Sequence, residues 1–240
     1  MEEVRINKYL AACGVCSRRD ADLLISQGAV TVNGAAAVTG MKVTEQEVIC
    51  VRGKRVEGRD RKVILAYYKP VGVVCTHRDV HAERIVTKEM NSPVRVTYAG
   101  RLDKESEGLL LMTNDGMLID AMMRGANGHE KEYIVKVSRA WTMDALEHLQ
   151  RGVYLEELKV TTRPCKIEQL GPKTIRIVLT QGINRQIRRM CETQGYQVVS
   201  LKRTRVINID LQGLKPGQSR ELTQDEIEEL YNRCGVRRTD

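Results

Sequence analysis

The order of helical and strand patterns constrains this 240-residue chain more than any single motif does. Strands outnumber helices and do not alternate with them regularly. A doubly wound fold hands each strand on to a helix, so the pattern points instead to an α+β chain on a mixed, mostly antiparallel β-sheet. The first sixty residues read as a unit of their own. Ile6, Tyr9, Leu10 and Cys13 recur at helical spacing until Gly14 breaks the pattern. Ser17 and Asp20 form a candidate capping box, and Ala21, Leu24 and Ile25 continue as the buried stripe of a second helix ending at Gly28. Ala29 to Val32 then alternates, Asn33-Gly34 signals a tight turn, and Val38, Val48, Ile49 and Val51 supply further short strands.

The charged stretch 52–62 is read as a linker, dividing the chain into residues 1–62 and 63–240. Beyond it, Val63 to Tyr68 and Val71 to Cys75 read as strands on either side of the Lys69-Pro70 break. Leu109 to Thr113, Tyr133 to Val137, Thr174 to Leu179 and Val198 to Leu201 read as further strands. Helices are expected at Met117 to Met123, Thr142 to Gln150, Asn184 to Gln194 and Thr223 to Tyr231, the last with Thr223 and Glu226 as a capping box.

Composition narrows the partners. A net charge of +8 attracts polyanions, of which nucleic acid is the commonest. Phe is absent and aromatics are 4%, which disfavours a sheet that stacks RNA bases on aromatic side chains. There is no apolar run long enough to span a membrane, and MEEVRINKYL lacks the apolar stretch of a secretory signal, so a cytoplasmic protein is expected. The seven cysteines (13, 16, 50, 75, 165, 191 and 234) suit reduced cytosolic thiols. Cys13 and Cys16 form C-x-x-C, but no second pair completes a zinc site, so packing is the expected role and no metal is expected. A monomer is expected in the absence of a coiled-coil heptad.

Three segments carry candidate chemistry. In Gly100-Arg101-Leu102-Asp103-Lys104-Glu105-Ser106-Glu107-Gly108-Leu109-Leu110, the carboxylate of Asp103 stands between glycines, where either a helix cap or a catalytic group fits. In Gln181-Gly182-Ile183-Asn184-Arg185-Gln186-Ile187-Arg188-Arg189-Met190, helical spacing sets Ile187, Met190 and Cys191 on one face and Arg185, Arg188 and Arg189 on another. Lys131-Glu132-Tyr133 leads a strand, ordinarily a packing position for a tyrosine. A fourth group, Arg5, Lys8, Arg18 and Arg19, lies on the polar side of the first two helices, where a solvated face is the plain reading.

The opening Arg5-Ile6-Asn7-Lys8-Tyr9-Leu10, Ser17-Arg18-Arg19-Asp20-Ala21 and Gly28-Ala29-Val30-Thr31-Val32-Asn33-Gly34 resemble the S4-like RNA-binding domain. That resemblance implies that Arg5, Lys8, Arg18 and Arg19 grip structured RNA. The run G-R-L-D-x-x-[ST]-x-G-L-L is similar to the signature of pseudouridine synthases, and every fixed position is met. With the Lys131–Tyr133 element and the arginine helix, the chain resembles the RsuA-type bacterial rRNA pseudouridine synthases over nearly its whole length. The stretches 124–133, 181–192 and 201–209 look closest to a branch acting on large-subunit rRNA. The resemblance implies Asp103 as nucleophile, Arg188 as the arginine that pairs with it, and Tyr133 against the target base. Arg101, Arg185 and Arg189 would serve RNA binding. Ile183 stands where many members carry Arg or Lys.

Isomerising uridine exchanges nothing with a second substrate, so no cofactor is implied. Three routes suit one carboxylate: attack on the sugar carbon, attack on the uracil ring, or removal of a ribose proton. Two rivals are set beside this reading. An S4-like module also serves non-catalytic RNA-binding or ribosome-assembly proteins. A methyltransferase would need a glycine-rich cofactor loop, for which Val71-Gly72-Val73-Val74 is too poor in glycine.

Overall fold

The computed structural model describes residues 3–58, 61–76, 83–90, 92 and 94–238. Seven α-helices and seventeen strands are assigned among them. In the N-terminal part, β1 (Val4–Arg5) leads into α1 (Ile6–Ala12), and α2 (Arg18–Ser26) follows. Then come β2 (Val30–Val32), β3 (Ala35–Ala36), β4 (Lys42–Val43), β5 (Ile49–Val51) and β6 (Lys54–Arg55). A four-stranded sheet runs β3-β2-β5-β6, and β1 pairs with β4. Ile6, Leu10, Ala21, Ile25, Val30, Val43 and Ile49 form the core of this part, with Cys13 and Cys16 packed at its margin. Asn33 turns the β2–β3 hairpin at φ 51° and accepts the Val48 N–H at 2.8 Å.

Three expectations change here. Val38 lies outside any strand, and β4 forms instead, paired with the chain entering α1. Residues 52–55, read as linker, close the β5–β6 hairpin. Ser17 caps α2 by accepting the Asp20 N–H at 3.1 Å, but the Asp20 carboxylate takes the Ser17 hydroxyl proton at 2.6 Å rather than reaching back to the backbone. Aspartate is one methylene shorter than the glutamate that completes a box.

The remainder is organised on β7 (Ile64–Lys69), β8 (Thr97–Ala99), β9 (Glu107–Thr113), β10 (Lys131–Val137), the ribbon β11 (Tyr154–Leu155) with β12 (Val160–Thr161), β13 (Lys166–Gly171), β14 (Thr174–Leu179), β15 (Val198–Val206), β16 (Ile209–Asp210) and β17 (Ser219–Glu221). The helices here are α3 (Val86–Glu89), α4 (Gly116–Met123), α5 (Met143–Arg151), α6 (Gln186–Thr193) and α7 (Gln224–Cys234). The large sheet runs β13-β14-β10-β15-β9-β7-β17, with β16 on β15 and β8 on β9. Among the described residues, the ladders of this sheet are antiparallel except β15 on β9, which is parallel over Lys202↔Glu107 and Arg203↔Gly108. Two antiparallel halves therefore meet along one short parallel seam.

Both strands beside the seam on the β7 side are apolar runs buried on two faces, as the sequence of a central strand requires. One face of β7 and β9 packs on α4 and α7 through Ile64, Ala66, Leu109, Leu111, Leu118 and Leu230. The other face packs Leu65, Tyr67, Leu110 and Met112 against Val73, Cys75 and Val86. Val71–Cys75, expected as a strand, contributes only an isolated bridge, Val74↔Ile85. Val73 and Cys75 fill this core without joining a ladder, while Val71 is exposed. Across the seam, β10, β14 and β15 pack on α5 and α6 through Val135, Ile177, Leu146, Leu149, Ile187 and Met190. The Thr223–Glu226 capping box forms as expected. α7 is pinned by the Tyr231 hydroxyl, which donates to the buried Asp115 carboxylate that caps α4. Burial alone would raise the Asp115 pKa, but Tyr231 and Lys62 outweigh it and hold the carboxyl below its usual range.

The seam depends on Gly108. Its φ is 107°, and a Cβ there would lie 2.2 Å from the Arg203 carbonyl oxygen and 2.7 Å from its nitrogen. Gly108→Ala is expected to cost about 3 kcal/mol or more, because backbone strain and overlap with an unyielding strand add. Urea unfolding of the variant measures it, and a loss near zero would show that the strands separate cheaply.

Candidate active site

The loop Gly100–Ser106 joins β8 to β9, and β8–β9 are themselves an antiparallel pair from Thr97↔Thr113 to Ala99↔Leu111. Leu102 and Ser106 are buried and anchor the loop, while Asp103 between them is half-buried. The Ser106 N–H donates to the Asp103 carbonyl at 3.1 Å, closing a tight turn. The Gly72 N–H holds the Lys104 carbonyl at 2.8 Å. No helix follows Asp103, so the capping alternative falls away: the residue heads a loop that enters a strand.

Beneath this loop a row of residues crosses four adjacent strands. Lys69 pairs with Gly108, Gly108 with Arg203, and Arg203 with Tyr133. Opposite positions in a ladder project to the same face, so Lys69, Arg203 and Tyr133 emerge side by side in the gap between the cores on either side of the seam. Tyr133 is half-buried and packs against the α5–α6 core.

Arg188 does not make the ion pair with Asp103 that was expected. Its Nη2 donates to the Glu105 carbonyl at 3.1 Å and its Nη1 to the Val198 carbonyl at 3.3 Å. The expected polar helix face also fails at this residue, since Arg188 is 8% exposed and α6 buries Gln186 as well. Reaching inward from α6, the guanidinium meets the backbone two residues beyond Asp103 and braces the loop through it. Arg185 sits at the helix N-terminus with φ 52° and bridges Glu105 at 3.0 Å. Arg189 is paired with Glu157 and donates to the Asn184 carbonyl at 3.1 Å. Ile183 packs against the core beside α6. Arg101 is exposed near the start of the loop. In the N-terminal part Lys8, Arg18 and Arg19 are exposed on α1 and α2, whereas Arg5 lies in β1, just ahead of α1.

Sequence reasoning missed two buried cations. Lys69 is fully buried, and its Nζ donates to the Pro70 carbonyl at 2.8 Å. Burial lowers its pKa to about 8 against partial restoring fields from Cys75 and Asp103. Arg203 is 3% exposed. Lys131, whose Nζ donates to the His129 carbonyl at 3.2 Å, is lowered by burial and then by the Arg203 charge. Lys69-Pro70 was legible only as a strand break, and Arg203 was hidden in the basic run Lys202–Arg205.

Residues 63–193 match the family model described as RNA pseudouridylate synthase, and residues 4–49 match the S4 domain. The chain is 44% identical over 230 residues to the dual-specificity RNA pseudouridine synthase RluF of Escherichia coli strain K12, covering 95% of this chain and 78% of that protein. It is 39% identical to ribosomal large subunit pseudouridine synthase B of Bacillus subtilis strain 168, covering 94% and 95%. A crystal structure of a pseudouridylate synthase aligns with a TM-score of 0.70 at 27% identity, covering 95% of this chain and 99% of that one.

The sign of the Lys69 effect is fixed by its shift. The folded-state value of about 8 lies below the unfolded value near 10.4, so between them the unfolded chain holds more protons and stability rises with pH. Below about pH 8 both states are charged and the burial penalty is constant. Lys69→Met removes that rise, so unfolding free energies of wild type and variant, compared at about pH 7 and about pH 10, are expected to converge toward or cross in favour of wild type at the higher pH. A difference independent of pH would place the ammonium in a solvated site.

Proposed function

The chain belongs to the RNA pseudouridylate synthase family and is an RNA pseudouridine synthase; we propose that it isomerises a loop uridine of large-subunit ribosomal RNA, with Asp103 as the reacting carboxylate. The observation that carries this reading is the half-buried Asp103 at the head of a braced turn, on a sheet whose adjacent strands bring Lys69, Arg203 and Tyr133 into one register row. The reaction breaks the bond from N1 of uracil to the ribose C1′ and forms one from C5 to C1′. A proton leaves C5 and N1 gains one, so the net change is an isomerisation. A carboxylate on one side and a flat ring on the other meet its two needs: a group to open the glycosidic bond and a surface on which the freed uracil turns.

A uridine must leave its stack to reach Asp103, which costs a few kcal/mol in a duplex and less in a loop. Large-subunit rRNA is favoured by the name of the B. subtilis relative. The N-terminal part contributes grip on a neighbouring stem. Arg18 and Arg19 occupy the first turn of α2, where the helix dipole disfavours cations, and an RNA phosphate would offset that cost. On this reading the protein works in the cytoplasm as a monomer, on structured RNA and without metal or cofactor. The non-catalytic alternative leaves the loop at Asp103 and the match over 63–193 without a purpose.

Pseudouridine mapping by chemical arrest of reverse transcription tests the activity, on rRNA from cells with wild-type protein, Asp103→Asn or no protein. One large-subunit loop uridine is expected to lose its mark in both deficient strains, with the purified variant slowed at least about a thousandfold while still binding RNA. Retention of every mark in both strains would overturn the assignment. For the grip, Arg18→Gln with Arg19→Gln is expected to reduce the slope of log affinity against log salt by about 1.5. An unchanged slope would remove α2 from the RNA interface.

A further inference from the structure

The Arg203 side chain spans the loop that carries Asp103. Its Nε donates to the Leu109 carbonyl at 2.6 Å, just beyond the loop, and its Nη1 donates to the Arg101 carbonyl at 3.4 Å, at the loop's start. One planar guanidinium thus ties together both ends of the segment Arg101–Leu109, with Asp103 between them. A lysine ammonium is a point donor on a flexible stem and does not present a fixed fork to two separated carbonyls. The backbone of the same residue forms the seam at Gly108, so main chain and side chain grip the same loop from below.

Packing alone does not account for a cation here. Arg203 is 3% exposed, its Nη2 has no hydrogen-bond partner, and its charge opposes those of Lys69 and Lys131. A buried unpaired N–H and neighbouring like charges both cost stability, and an apolar residue of similar volume would avoid both. The loop meanwhile needs rigidity. Arg188 braces it only on the far side of Asp103, through Glu105. We propose that Arg203 is a positioning residue for the reaction: by bridging the Arg101 and Leu109 carbonyls it fixes the turn that aims Asp103 at the bound uridine. This rests on Asp103 being the reacting group.

The test measures single-turnover rate and RNA affinity separately, on a stem-loop substrate, for wild type, Arg203→Lys, Arg203→Gln and Asp103→Asn. Arg203→Lys keeps the charge but loses the two-carbonyl bridge, so both Arg203 variants are expected to lose about a hundredfold in rate, the scale of a displacement near 1 Å, with RNA affinity preserved. Folded Arg203→Lys at near wild-type rate, beside an inactive Asp103→Asn, would overturn the positioning role alone. An active Asp103→Asn would instead overturn the reading on which it rests. Should neither Arg203 variant fold, amide hydrogen exchange on the wild-type protein decides. A bridged loop requires Ser106 to be protected like Leu110 in β9, and exchange as fast as an open loop refutes the bridge.

Discussion

The parallel contact between β9 and β15 holds the two halves of the catalytic sheet together, and the site is laid across it. A parallel pair of only two registered positions is a weak ladder by itself. It is reinforced by Gly108, which lets the strands close to a distance no side chain permits, and by Arg203, whose guanidinium reaches over to the backbone of β9. Lys69, Arg203 and Tyr133 are neighbours because of this seam, and Asp103 hangs above them because β9 begins there.

The electrostatics follow from the same placement. Lys69 and Arg203 are buried next to the loop that carries the half-buried Asp103, and Lys131 is partly buried near Arg203. Such a cluster raises the free energy of the folded chain, since each cation gives up water and faces like charge. In the proposed reaction, what it would supply is a preorganised positive field for negative charge that develops on a departing base. The burial-lowered pKa of Lys69 is the measure of that cost.

Much of the fold was legible in the sequence because local rules and tertiary structure agree. The Thr223–Glu226 box, the Asn33-Gly34 hairpin and the apolar strands β7 and β9 each form where the pattern says. The misreadings come from residues serving two levels at once. β15 runs on to Val206, but its second half carries Lys-Arg-Thr-Arg, whose side chains lie over the Tyr68 ring, reach buried carbonyls or pair with Glu130 and Glu132 rather than alternating with apolar neighbours. Val71–Cys75 has strand composition, yet it packs as a core plug under the catalytic loop. Arg188 sits on a helix whose spacing suggests a solvated face, but it is drawn inward by carbonyls 10 and 83 residues away in sequence. Asp103 and Tyr133 were found through their motifs. Arg203 lies within the resemblance stretch 201–209, but the sequence does not single it out from its basic neighbours, because its partner carbonyl lies 94 residues away.

That sequence distance also orders the assembly of the chain. The N-terminal pairings join positions about 20 to 40 residues apart, Val30 to Val51 and Val4 to Val43, so their loops close at small entropic cost. The seam joins Gly108 to Arg203 and cannot form until α5, the β13–β14 hairpin and α6 have all emerged and packed. Contacts of such separation are the slow ones in folding. During synthesis, therefore, the basic N-terminal part gains its shape well before the reactive centre exists. Catalytic competence arrives as one of the last events, when the two halves of the sheet close on each other.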